Sequence, residues 1–148
     1  MAWVLPQRLA VGRFPRSGDL PILQGQGIQV LLTLCSTLEA QLNPSLAAQF
    51  QQVSCPMPDH RDATPLEVPV LAAAVATLHQ CLQRNQVVYV HCLAGLERSP
   101  TVCLAYLCRY HGLEVHEGLR YLKENYPPAS PTIDQLQVIR AYLQTQSP

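Results

Sequence analysis

An apolar strand-like run, Val87-Val88-Tyr89-Val90, and an apolar helical run from Thr101 to Tyr110 are separated only by His91-Cys92-Leu93-Ala94-Gly95-Leu96-Glu97-Arg98-Ser99-Pro100. So short a join commits the region to a strand–loop–helix unit, and the loop must lie at the strand's carboxyl end. A loop in that place presents backbone N–H groups to an anion, and the following helix N-terminus adds a partial positive charge. Arg98 contributes an always-charged, bidentate fork. Cys92, at the loop's start, sits where a thiolate is stabilised. Gly95 permits the turn that aims the amides inward. One segment is therefore expected to supply a nucleophile, Cys92, and a phosphate cradle formed by Cys92, Leu93, Ala94, Gly95, Leu96, Glu97 and Arg98.

The rest of the chain reads as scaffold. Ile28 to Leu34 is a near-continuous apolar run typical of a strand covered on both faces. Short helices are expected over Asp19–Gly25 and Ser45–Gln51, the second capped by Ser45 or Asn43. Val53 to Cys55 reads as a brief strand, and from Pro65 to Asn85 apolar positions recur at helical spacing. Three helical patterns follow the loop: Ser99–Tyr110, Val115–Tyr126 and Pro131–Gln144. Alternating strands and helices predict an α/β fold in three layers, with a mostly parallel sheet of about four to five strands between helices. Function then sits outside the carboxyl ends of the strands.

Composition narrows the classes. The chain has 148 residues, 48% apolar and 14% charged, which excludes disorder and fits one domain over 1–148. Ten basic and ten acidic residues give zero net charge with no charged block. Neither nucleic acid nor a membrane surface is the expected partner. No signal peptide or apolar span is legible, so a soluble, cytoplasmic protein is expected. Six unevenly spaced cysteines without a Cys-x2-Cys pair read as reduced, mostly buried thiols. The five histidines are scattered, so no metal and no cofactor is called for. Oligomeric state is not legible.

The run His-Cys-x-x-Gly-x-x-Arg-Ser resembles the phosphatase loop of the cysteine-dependent protein tyrosine phosphatases, and most of all the compact dual-specificity branch. Leu9-Ala10-Val11-Gly12 with Pro15, Gly27 to Leu34, and Pro56-Met57-Pro58-Asp59 look like that family's opening strand, next strand and acid-bearing segment. The resemblance covers most of the chain. It implies a metal-independent phosphatase acting on phosphotyrosine, and on phosphoserine or phosphothreonine, in a phosphorylated protein substrate. Cys92 would form a cysteinyl-phosphate that water hydrolyses. Arg98 would bind the equatorial oxygens. Ser99 would stabilise the departing thiolate and could also cap the next helix, the two roles being compatible, and His91 would support the loop.

The leaving oxygen needs a proton from another loop. Asp59 matches the Pro-x-Pro-Asp pattern, whereas Asp62 is nearer Cys92 in sequence and could instead cap a helix; both remain candidates. His60 and Arg61 either meet the substrate's charge or are solvated. Two departures stand out. Glu97 places a negative charge beside Arg98, where it would anchor Arg98, anchor a neighbouring loop, or repel strongly anionic substrates. Leu93 and Leu96 make the loop apolar, against phosphoinositides. Alternatives are the same chemistry on a non-protein ester such as a phosphoglucan, since the loops also look similar to those of laforin-like enzymes, and a non-catalytic phosphopeptide-binding module. A sulfurtransferase of the rhodanese kind is disfavoured by the longer Cys-x5-Arg loop.

Overall fold

In the computed structural model, which describes residues 1–146, five short strands form one sheet in the order β1-β2-β5-β3-β4. Their ranges are β1 (Ala2–Leu5), β2 (Leu9–Gly12), β3 (Val30–Thr33), β4 (Gln51–Ser54) and β5 (Val88–His91). β1 is antiparallel to β2, and β2, β5, β3 and β4 are mutually parallel. Around them lie α1 (Leu20–Gly25), α2 (Pro44–Ala47), α3 (Val68–Gln83), α4 (Arg98–His111), α5 (Val115–Asn125) and α6 (Ile133–Thr145). This is the expected α/β arrangement.

Strand alternation divides the core in two. Leu9, Val11, Val30, Leu32, Val88 and Val90 point into the larger cluster, which is completed by Leu71, Leu78, Leu104 and Ile139 from α3, α4 and α6. Ala10, Leu31 and Tyr89 point to the other face, against Leu23 of α1, Leu46 of α2 and Phe50. Sheet burial on both sides explains why these strands read as continuous apolar runs. α4 is buried along most of its length, and α5 packs against it where a Cβ on Gly118 would approach Leu104 Cδ1 to 2.7 Å.

Several boundaries shift. β1 was not legible, because Met1-Ala2-Trp3-Val4-Leu5 lacks a clear alternation and is held by a single neighbour. The helix expected over Ser45–Gln51 closes at Ala47, since Gln51 is taken into β4 by parallel pairing with Val30. Asn43, not Ser45, caps it, accepting from the N–H groups of Ser45 and Leu46. The helix expected from Pro65 begins at Val68, leaving a long loop after β4.

β5 is the hinge of the topology. Gly12, His91 and Thr33 stand side by side at the carboxyl ends of β2, β5 and β3, so the segment after His91 emerges where connections diverge to opposite sides. Leu104, fully buried between helices and sheet, tests how much of the molecule rests on α4. Leu104→Ala should cost about 2–5 kcal/mol by the usual transfer-plus-cavity effect, read as a lower urea midpoint at unchanged slope.

Candidate active site

The loop 92–97 leaves β5 and ends at the first turn of α4, and its shape is set by which of its groups are tied. The carbonyl of Leu93 accepts from Phe14 N–H at 3.0 Å, and that of Leu96 from Ser130 N–H at 2.6 Å. Gly95 donates its N–H to Cys92 Sγ at 3.2 Å, while the amides of Leu93, Ala94, Leu96 and Glu97 find no acceptor among the described residues. With its carbonyls turned out and its amides free, such a loop at a helix N-terminus is a nest for an oxyanion. Gly95 adopts φ +77°, and a Cβ there would lie 2.7 Å from both Arg13 N and Tyr126 Oη. Only glycine fits that conformation in that space.

Cys92 is 3% exposed, and its Sγ lies 3.3 Å from Ser99 Oγ. Ser99 does not cap α4, whose N-cap is Glu97. Its hydroxyl lies within the first turn and donates to Gly12 O at 3.1 Å, so the capping role is set aside. His91 is fully buried, with Nε2 2.8 Å from Thr33 Oγ1 and Nδ1 3.4 Å from Cys92 O. Burial lowers its pKa to about 4, and it is a neutral imidazole at ordinary pH.

Arg98 is 2% exposed and is not a solvated helix-start residue. Its two terminal nitrogens meet both oxygens of Glu39, at 2.9 and 2.8 Å, and Nη1 also donates to Met57 O at 3.1 Å. A carboxylate fork of this kind fixes the plane of the guanidinium. The Arg98 hydrogen bonds hold the Glu39 carboxyl below its ordinary value. Glu39 was not singled out in the sequence. Its only signal was an acid in the turn after β3, at the same carboxyl edge as Cys92.

The two candidate acids are placed differently. Asp59 Oδ2 lies 3.4 Å from Arg98 Nη2, and both residues line one pocket of about 370 Å³ with Cys92. Asp62 is exposed, does not line that pocket, and accepts the N–H of Asp59 at 2.8 Å. Nor does it cap α3, whose N-cap is Glu67. Hydrogen bonds from Arg61, above all, hold the Asp59 carboxyl down at about 2, with Arg98 adding to the effect. Glu97 does not touch Arg98's fork. It pairs with His60, which also meets Asp59 at 2.9 Å, so Glu97 ties the phosphate loop to the acid loop.

Asp59, His60 and Glu97 offer ligand atoms within 4.8 Å of one another, a grouping that crosses two loops and was invisible as spacing. The His60 ring is shared between the two carboxylates. All six cysteines are free thiols. Burial pushes Cys35 up to about 11 and Cys108 up to about 11, as expected for packing residues.

The model of the dual specificity phosphatase catalytic domain matches residues 9–145. The dual specificity protein phosphatase Mpk3 of Drosophila melanogaster is 27% identical over 140 residues, 94% of this chain and 33% of that protein. Dual specificity protein phosphatase 14 of Mus musculus is 29% identical over 126 residues, 84% of this chain and 60% of its own. The chain thus spans from a third to three fifths of the length of these relatives. In fold it is similar to the human tyrosine phosphatase-like serine/threonine/tyrosine-interacting protein, with a TM-score of 0.86, 21% identity, and coverage of 99% of this chain and 97% of that one.

His91 makes a prediction of its own. An imidazole titrates near 6.5 when unfolded but near 4 here, so unfolding takes up a proton between those values and stability must rise with pH across that window. The Asp59 carboxylate acts in the same direction but in a lower window, its contribution being lost only as pH falls from near 4 toward 2. The unfolding free energy from urea titration should therefore drop between pH 6.5 and pH 4, by an amount on the order of 3 kcal/mol. His91→Asn should flatten that slope whatever its effect at neutral pH.

Proposed function

The chain belongs to the dual specificity phosphatase family, matching its catalytic-domain model over residues 9–145, and on that premise we propose that it is a metal-independent protein phosphatase working through a cysteinyl-phosphate. Its substrates are phosphotyrosine, and phosphoserine or phosphothreonine, in proteins. The observation that carries this reading is the convergence on Cys92 Sγ of the Gly95 amide and the Ser99 hydroxyl, in one pocket with a buried, carboxylate-clamped Arg98. No described helix is long and apolar enough to cross a membrane, and we assign the activity to the cytoplasm.

Each residue then has a step. The phosphate enters the loop, its equatorial oxygens taken by the free amides and by Arg98. Cys92 Sγ attacks phosphorus in line; the S–P bond forms and the P–O ester bond breaks. The Asp59 carboxyl gives its proton to the departing oxygen. Water then attacks the phosphocysteine, giving a proton back to Asp59, and sulfur leaves as a thiolate toward which the Ser99 hydroxyl turns its one hydrogen, away from Gly12 O. His91 stays neutral and holds the Cys92 carbonyl and β3 in place.

Asp59 must be protonated to act first, yet in the free protein it is held ionised by Arg61 and Arg98. An arriving phosphate dianion claims Arg98's charge and places its own negative charge near Asp59. Both effects raise the carboxyl's proton affinity. The acid is thus armed by the substrate.

Steady turnover of an aryl phosphate and a phosphotyrosine peptide should occur with chelator present and vanish in Cys92→Ser; stoichiometric binding without turnover by the wild type would instead make this a recognition module. Asp59→Asn should lower kcat on the peptide by about 10²–10⁴-fold, the usual worth of a positioned acid, whereas Asp62→Asn should leave kcat within a small factor. The reverse pattern would move the acid to Asp62. Arg61→Gln removes the largest influence holding Asp59 ionised, so the descending limb of its kcat/KM–pH profile should move to higher pH.

A further inference from the structure

A second cleft, of about 740 Å³, lies beside the catalytic pocket and shares Asp59 and His60 with it. One wall is the loop after β4 and the start of α3, and the other is the first turns of α6. Its charged lining is one-sided: beyond Asp59 it carries Asp62, Glu67 and Asp134, and no lysine or arginine. The Glu67 and Asp134 side chains are exposed and enter no ion pair or side-chain hydrogen bond among the described residues. The rest of the lining is mixed, with half-buried Leu66, Val138 and Ala141 beside Thr132 and Gln137.

In a chain of zero net charge, a partly apolar trough edged by the unpaired Glu67 and Asp134 carboxylates is electrostatically unfinished. Its complement is a cation on an aliphatic stem, which is the shape of an arginine or lysine side chain. The same charge opposes an anionic lipid surface. Continuity with the catalytic pocket identifies what delivers that side chain. A polypeptide whose phosphorylated residue sits over Cys92 continues past Asp59 at about 3.3–3.6 Å per extended residue, and so enters this cleft within a few residues.

We propose that this cleft seats the flank of a phosphoprotein substrate and selects a basic residue there, with Glu67 and Asp134 as the specificity-determining carboxylates. The inference rests on the phosphatase reading and narrows its substrate class to phosphorylated segments with arginine or lysine on one side of the phosphoresidue. The loop that carries Asp59 then does two jobs: one edge faces the ester, the other the substrate's neighbouring side chain.

The test compares wild type with the double variant Glu67→Gln/Asp134→Asn, neither residue belonging to the catalytic machinery, with chelator present. Substrates are an aryl phosphate and three phosphotyrosine peptides, with neutral flanks, arginines on the amino side only, or arginines on the carboxyl side only. In the wild type, one of the two arginine peptides should exceed the neutral one in kcat/KM by about fivefold, the worth of two partly exposed charge pairs. High salt should erase that margin. In the double variant it should also vanish, while turnover of the aryl phosphate stays unchanged. Equal kcat/KM for all peptides in the wild type, or an arginine preference that survives the double substitution, would overturn the proposal and leave the phosphatase reading intact. Absence of aryl phosphate turnover in the wild type would instead sink the phosphatase reading. The cleft is then read by fluorescence anisotropy of the same peptides on wild type and variant, where equal affinities for arginine and neutral peptides would overturn it independently.

Discussion

Arg98 is a cation buried at the N-terminus of a helix, where the backbone dipole opposes it. The Glu39 carboxylate makes that placement possible. It answers both terminal nitrogens of the guanidinium, and Met57 O answers one of them again. Removing such a partner from a buried charge is costly, because the remaining ion has lost water and gained nothing. Through this one pair the turn after β3, the start of the acid loop and the first turn of α4 are fixed to one another. The loop around Cys92 can then present its amides to a ligand, since the neighbouring positive charge is held in place by the protein itself.

The acid side of the pocket obeys a different logic. Asp59 is surrounded by partners that favour its ionised form, with Arg61 the strongest influence and Arg98 at 3.4 Å. Its job in the proposed reaction needs the neutral form. The conflict is settled by exchange: the phosphate replaces the carboxylate as the partner of Arg98. Glu97 and His60 keep the two loops in contact while that exchange takes place. A negative charge at Glu97 is therefore an anchor for the neighbouring loop rather than a partner for the adjacent arginine.

The strand–loop–helix core of the site was legible because its parts are contiguous. An apolar run buried on both faces, a glycine where only glycine fits, and an arginine at fixed distance from a cysteine all survive as sequence pattern. Glu39 was not legible, since its meaning depends on β3 lying directly beside β5, with Thr33 opposite His91. Nothing local in Ser36-Thr37-Leu38-Glu39 says which cation it faces. Asp59 stood apart from Asp62 only by its Pro-x-Pro-Asp match, for a related reason: three residues apart in one loop, they are distinguished by the contact of Asp59 with Arg98 and by its place in the Cys92 pocket. β1 escaped notice because an edge strand with one partner needs little alternation. The start of α3 was read too early, where Glu67 takes the N-cap without a side-chain bond.

The two carbonyl ties of the phosphate loop reach in opposite directions along the chain, to Phe14 near its beginning and to Ser130 just before α6. Tyr126 closes against Gly95 from the same late segment. During synthesis, Cys92 and Arg98 therefore leave the ribosome well before the residues that shape their loop. The site is complete only when the last fifth of the polypeptide has docked. Until then the nascent protein carries Cys92 without the enclosure that Phe14, Tyr126 and Ser130 complete around its loop.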